Sequence, residues 1–146
     1  WISFIMLAAS GFSEVIVATH GIENLVAVSA NVLSASKFIA SAVLILIGFT
    51  IVMGTGTCFG TVPILSAIYV PMCMTLGYTA LGTASLIGVA AAVGDVCSPA
   101  SDGTLGPTSG LNPDGQHDHI WDSTVPAVLV FSLPLFVIGV VTSAVL

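Results

Sequence analysis

Basic residues are almost missing from this sequence: Lys37 is the single Lys, there is no Arg, and seven Asp and Glu stand against it. With a net charge of -6 nothing can neutralise a phosphate backbone, so nucleic-acid binding is excluded. Charge of either sign is scarce, at 5% of residues against about 25% in an ordinary soluble domain. That shortage removes most soluble classes. Cysteine is confined to Cys58, Cys73 and Cys97, without C-x-x-C spacing, and says little about redox compartment. The start lacks the basic stretch of a secretory signal, and no lipidation signal is read.

What is present is apolar. Hydrophobic residues make up 56% of the chain, the mean hydropathy is +1.14, and the charges crowd into a few short stretches. This is the composition of a chain whose solvent is the bilayer. The expectation is an all-α, polytopic integral membrane protein with about four to five hydrophobic helices, some interrupted or re-entrant. Residues 1–146 read as a single transmembrane domain, and apolar sequence running off both ends is expected of a piece of a longer chain.

Residues 38–94 contain no Asp, Glu, Lys, Arg or His. One crossing needs about 20 residues, so two crossings and a break fit there. The expected first interruption is Gly54-Thr55-Gly56-Thr57-Cys58-Phe59-Gly60, and the second is Gly94-Asp95. Glycines lower helix propensity by about 1 kcal/mol each relative to Ala and free backbone groups that need partners in a dry environment. From 94 to 122 the composition turns polar, with five of the seven acids and two of the three His, and this stretch does not read as packed helix. Ser123 to Leu146 reads as a final span bent by Pro126 and Pro134. At the other end, Trp1 to Val17 reads as a span, and Thr19 to Lys37 as an interfacial or re-entrant amphipathic helix.

Two apolar segments that each run into a Gly/Ser/Thr-rich break point toward a transporter, because broken helices expose carbonyls and helix ends at bilayer depth. The second break gathers Asp95, Ser98, Ser101, Asp102 and Thr104 around Pro99. A hard monovalent cation takes oxygens from carboxylates, hydroxyls and backbone carbonyls, and all three kinds are here. The alternative is an extramembrane loop in which Asp95 caps a helix and Asp102 opens a turn. In the first break Thr55, Thr57 and Thr61 offer hydroxyls, while its small residues equally suit close helix packing. Glu14 reads either as an intramembrane proton-binding carboxylate or, with His20 and Glu23 nearby, as a mark of the water interface. His117 and His119, with Asp118 or Asp122, invite a metal reading against the alternative of a polar surface turn. Lys37 could snorkel or pair with an acid.

These residues carry a resemblance. The order GTGTCFGTVPILSAIYVPMC, then GDVCSPASDGTLGPTSGLNPDGQHDHIWD, then a proline-bearing terminal span, is similar to the C-terminal part of sodium/proton antiporters of the NhaC type, within the ion transporter superfamily. Gly94, Asp95, Ser98, Pro99, Ser101, Asp102 and Thr104 match the family's G-D-x-x-S-P-x-S-D-[T/x]-T block, followed at a distance by Asp118-His119-Ile120. Gly103 departs from it, standing where many relatives have a hydroxyl residue.

The resemblance implies a carrier rather than an enzyme, exchanging Na+ for H+ by alternating access in a prokaryotic inner membrane. It implies no cofactor beyond the transported ions, and as partners Na+, H+, lipid, the remaining helices of the longer carrier and a second copy in a homo-oligomer. Asp95, Ser98, Ser101, Asp102 and Thr104, with Thr55 and Thr57 from the facing break, are then the candidate ion ligands. Glu14, Asp118 and His119 are candidate proton-linked groups. A Na+- or H+-coupled organic-anion carrier is the second expectation. A non-transporting membrane subunit, or a metalloenzyme using His117 and His119, is the third.

Overall fold

The computed structural model describes residues 36–146 together with Val15, Ala18 and Thr19. Helix α1, Lys37–Thr55, starts where the Ser36 hydroxyl accepts from the Phe38 amide. It stops at Gly56, whose φ of 70° lies in the left-handed region that only glycine enters cheaply. Helix α2, Cys58–Thr75, follows after Thr57. Helix α3, Ala80–Cys97, is capped by the Thr79 hydroxyl, which accepts from the Gly82 amide. Helix α4, Asp102–Leu111, is capped by Ser101. Helix α5 runs continuously over His119–Val145.

Two stretches of α5, His119–Thr124 and Val128–Ser132, have the wider π-type turn. The Val125 amide bonds to the Ile120 carbonyl and the Leu133 amide to the Val128 carbonyl, each five residues back. Pro126 and Pro134 lie immediately downstream. A proline ring contests the space of the carbonyl four residues before it, and a widened turn relieves that contest without ending the helix.

Helix α3 is the middle element, packed against α1, α2 and α5. Small residues set its closest crossings. A Cβ on Gly94 would come within 2.5 Å of the Val52 Cβ, and one on Gly48 within 2.7 Å of the Ala90 Cβ, so α1 and α3 meet almost backbone to backbone. On the other side Gly139 of α5 lies against Val89, and Gly82 faces the Ser143 carbonyl. Close approach through small residues is how helices associate where lipid gives no hydrophobic drive.

Among the described residues four helical stretches are long and apolar enough to cross a membrane: Lys37–Thr55, Cys58–Thr75, Ala80–Gly110 and His119–Val145. Leu46, Ile47, Leu129, Val130, Val137 and Ile138 point outward, as lipid-facing side chains do. Among the described residues every buried polar side-chain atom has a hydrogen-bond partner. The buried Tyr69 hydroxyl donates to the Leu44 carbonyl at 2.7 Å, and that of Tyr78 donates to the Lys37 carbonyl at 2.8 Å. Tyr78 sits in the connection between α2 and α3, where burial pushes its phenol above the usual range. Among the described residues Lys37 donates to the Gly77 carbonyl, at 3.0 Å, with its ammonium 5.7 Å from the Tyr78 ring centre.

The all-helical membrane architecture is as expected, while several boundaries are not. Residues 37–97 hold three helices rather than two crossings. Gly94 and Asp95 are helical, and the second interruption is 98–101 instead. Gly94 is there for the Val52 contact, which a propensity argument does not see. The polar stretch does contain a helix, α4, because Ser101 supplies the cap that Gly- and Ser-rich sequence otherwise needs. The last span begins at His119, not Ser123, since Asp118 accepts from the Ile120 and Trp121 amides and so starts it earlier. The expected Trp1 to Val17 span, the amphipathic segment after it, and Glu14 lie outside the described residues, apart from Val15, Ala18, Thr19 and the 36–37 end of that segment.

Candidate ion site

The two interruptions lie side by side. A Cβ on Gly56 would meet the Ala100 carbonyl oxygen at 3.1 Å and the Ala100 Cβ at 3.2 Å. The Ser98 hydroxyl donates to the Met53 carbonyl at 3.1 Å, tying the end of α3 to the end of α1. The side chain of Cys58, the first residue of α2, lies beside the Asp95 carboxylate. Asp95 therefore belongs to α3 by sequence and meets the first break by contact.

Asp95 is half-buried and opens onto a cavity of about 280 Å³. Its polar lining is the Asp95 carboxylate with the hydroxyls of Ser101, Thr104 and Ser123, and Val96, Gly103, Pro107, Ala127 and Phe131 close the rest. Three elements build it. The last turn of α3 carries Asp95, the start of α4 carries Ser101 and Thr104, and the first π-type turn of α5 carries Ser123. The Thr104 hydroxyl donates to the Ser98 carbonyl at 2.7 Å, which fixes its proton and leaves a lone pair free. The Ser101 hydroxyl accepts from the Gly103 amide at 3.0 Å as the α4 cap. Gly103 lines the cavity, and a Cβ there would stand 3.3 Å from the Ser101 hydroxyl oxygen, so a hydroxyl side chain at 103 would sit beside Ser101.

The other expected ligands are placed differently. Ser98 is fully buried and joined to Met53. Asp102 is exposed as the first residue of α4, outside the cavity lining. The Thr55 and Thr61 hydroxyls lie 2.6 Å apart, and that of Thr61 donates to the Thr57 carbonyl at 2.7 Å, so these two hydroxyls are engaged within the first break. Asp118 caps α5. His119 donates from Nε2 to the Pro99 carbonyl at 2.8 Å, inside the second break. Among the described residues no three His, Cys, Asp or Glu groups gather as metal ligands. The sequence carries no signal for Cys58, Thr108 or Ser123, because each reaches its partner across elements that the sequence alone does not juxtapose. A larger groove of about 600 Å³ between α2 and α3 offers only neutral side chains, among them Ser66, Tyr78 and Thr83.

Residues 1–143 match the model of the Na+/H+ antiporter family. The chain belongs to this family. The chain is similar to three bacterial proteins. An "Uncharacterized membrane protein" of Haemophilus influenzae is 54% identical over 138 residues, covering 94% of this chain and 31% of the relative. "Putative amino acid transporter YuiF" of Bacillus subtilis is 46% identical over 146 residues, covering 100% and 33% respectively. An uncharacterized membrane protein of Vibrio parahaemolyticus is 46% identical over 145 residues. The chain thus spans about one third of the length of the curated relatives it matches. No solved structure matches it.

Proposed function

We propose that this chain supplies the ion-binding part of a Na+/H+ antiporter in a bacterial cell membrane, with Asp95 as the group that Na+ and H+ contest. The observation that carries this reading is one ionisable group, Asp95, facing a cavity otherwise lined by Ser101, Thr104, Ser123 and apolar side chains. A carboxylate held at bilayer depth is normally turned inward and given a task. Ionised, Asp95 and the hydroxyl lone pairs offer Na+ a mixed oxygen shell. Protonated, Asp95 offers no charge, and Na+ leaves. One site that holds either ion but never both couples their movements when access alternates between the two sides. Asp102 and the hydroxyls of Ser98, Thr55 and Thr57 lie outside the lining of this cavity, and further helices of the full-length carrier complete the pathway.

The test uses the full-length protein in proteoliposomes with a luminal pH dye. Na+ added outside makes the lumen more alkaline in the wild type, and Asp95→Asn removes the response while inserting normally. Retained exchange in Asp95→Asn overturns the assignment.

A second reading is favoured by the size of the cavity. At about 280 Å³ it exceeds what a bare ion needs and lies near the roughly 300 Å³ lower bound of small-molecule pockets. With one relative bearing an amino acid transporter's name, a Na+- or H+-coupled amino acid carrier is the alternative, Asp95 then facing the coupling ion or the substrate ammonium. Proton movement driven by an amino acid rather than by Na+ selects it.

A further inference from the structure

The two histidines at the head of α5 stand in a single hydrogen-bonded line that leads from the protein surface to the second break. The line starts at a group whose role is fixed: the Pro99 carbonyl can only accept, so His119 Nε2, 2.8 Å away, carries a proton. In the neutral ring Nδ1 is then the acceptor, and Thr108 donates to it at 2.9 Å. Having donated its one proton, Thr108 accepts from Ser123 at 3.0 Å. Ser123 in turn accepts from His117 Nε2 at 2.8 Å. One carbonyl thereby orients four links. At the far end His117 Nδ1 is left as a bare acceptor, 3.9 Å from an Asp122 carboxylate oxygen that is about half exposed.

We propose that His117, Ser123, Thr108 and His119 form a proton relay that carries protons between water at Asp122 and the second break. The proposal rests on the antiport reading above and adds to it a route and a second proton-holding group. The transfer balances without any other reactant. A proton from water bonds to His117 Nδ1, drawn there by Asp122, and the His117 Nε2–H bond breaks toward Ser123. Ser123 passes its own proton to Thr108, and Thr108 passes its own to His119 Nδ1. His117 ends neutral in its other tautomer and His119 ends as an imidazolium, still donating to Pro99. One positive charge has moved the length of the line, and every hydroxyl has turned over once.

Two placements connect this line to the ion site. Ser123 is both a member of it and part of the lining that Asp95 shares. Pro99, on which it ends, lies between Ser98 and Ala100, the residues that touch Met53 and Gly56 of the first break. A charge arriving at His119 therefore appears on the structure that borders the cavity, where it disfavours Na+. The charged and titratable groups around the line are few. Asp122 faces His117, Asp118 of the same turn is engaged with the Ile120 and Trp121 amides, and Asp95 of α3 faces Ser123 across the cavity. The contacts of His119 itself are the neutral Thr108 hydroxyl and the Pro99 carbonyl.

The experiment follows luminal pH in proteoliposomes of the full-length protein, driven in parallel by Na+ and by amino acids, with equilibrium binding of radioactive Na+ as a second readout. Thr108→Val keeps the side-chain shape and removes the hydroxyl. It should slow proton movement by about tenfold or more while Na+ binding stays intact. Thr108→Ser should regain the lost rate, and added imidazole should restore flux in His117→Ala in proportion to its protonated fraction. Wild-type rates in Thr108→Val overturn the relay and leave the antiport reading standing. Loss of Na+ binding in Thr108→Val, with no rescue by imidazole in His117→Ala, overturns it in favour of a purely structural network. Amino-acid-driven proton movement without any response to Na+, slowed in Thr108→Val, overturns the antiport reading and keeps the relay. No proton movement under either drive overturns both.

Discussion

The two breaks in this fold touch one another and yet are built for different work. Between α1 and α2 the chain needs only Gly56 and Thr57, carries no charge, and closes its hydroxyls on one another through Thr55, Thr61 and the Thr57 carbonyl. Between α3 and α4 it takes 98–101, flanked by Asp95 on one side and Asp102 on the other, and it receives His119 from α5. In the first break the Thr55 and Thr61 hydroxyls are engaged with one another. The second leaves lone pairs and a carboxylate facing a cavity. Small-residue sequence at bilayer depth thus has two uses, and they are told apart by whether a carboxylate and a cavity accompany the hydroxyls.

Asp95→Asn probes the difference most strongly, with Na+-driven luminal alkalinisation falling to background; an intact response moves the chemistry away from the second break. Gly94→Val comes next, since its branched side chain meets Val52 in the tightest α1–α3 crossing. Overpacking of this kind costs about 1–3 kcal/mol, and a melting temperature in detergent equal to wild type would show that the crossing is loose. Gly56→Ala tests contact between the breaks themselves, because a left-handed residue with a Cβ costs about 1–2 kcal/mol and Ala100 must also give way. Here the melting temperature should fall while Na+ binding persists. Thr61→Val, which opens the closed hydroxyl set of the first break, should cost about 1 kcal/mol in stability and leave the apparent Na+ affinity unchanged. A large loss of affinity would make the first break a ligand-bearing element as well. Leu129→Ala on the outward face should shift stability by no more than about 0.5 kcal/mol.

Much of this was legible in the sequence, for identifiable reasons. Charge-free length shows that helices cross a bilayer, and the block from Gly94 to Thr104 shows where polar chemistry is concentrated. What failed was the use of local propensity to place the break. Gly94 reads as a helix breaker, but its missing side chain is filled by Val52 from another helix, and Asp95 remains on the last turn of α3 as a result. The Ser- and Gly-rich stretch after it reads as loop because caps are worth little until a helix is there to receive them. Ser101 provides one, and α4 forms with Pro107 inside it. The roles of Cys58, Thr108 and Ser123 depend on contacts between elements far apart in the chain, such as Cys58 with Asp95. Periodicity and spacing hold no record of those.

The wide turns of α5 acquire a mechanical meaning once the anchorage of its neighbour is considered. Helix α3 is interlocked with α1 at Gly48 and Gly94 and with α5 at Gly139, where teeth of Val and Ala fill notches left by glycine. It is the fixed axle of the assembly, and Asp95 rides on it. The cavity wall contributed by Ser123, Ala127 and Phe131 lies on α5 upstream of the Gly139 notch, in the stretch where the hydrogen-bond ladder is twice offset by a residue. A π-type turn is slack wound into a helix: shifting it along by one position rotates the intervening side chains by about 100°, the angle between successive residues. The slack lies in the part of the cavity wall that α5 contributes, while the carboxylate belongs to the interlocked α3.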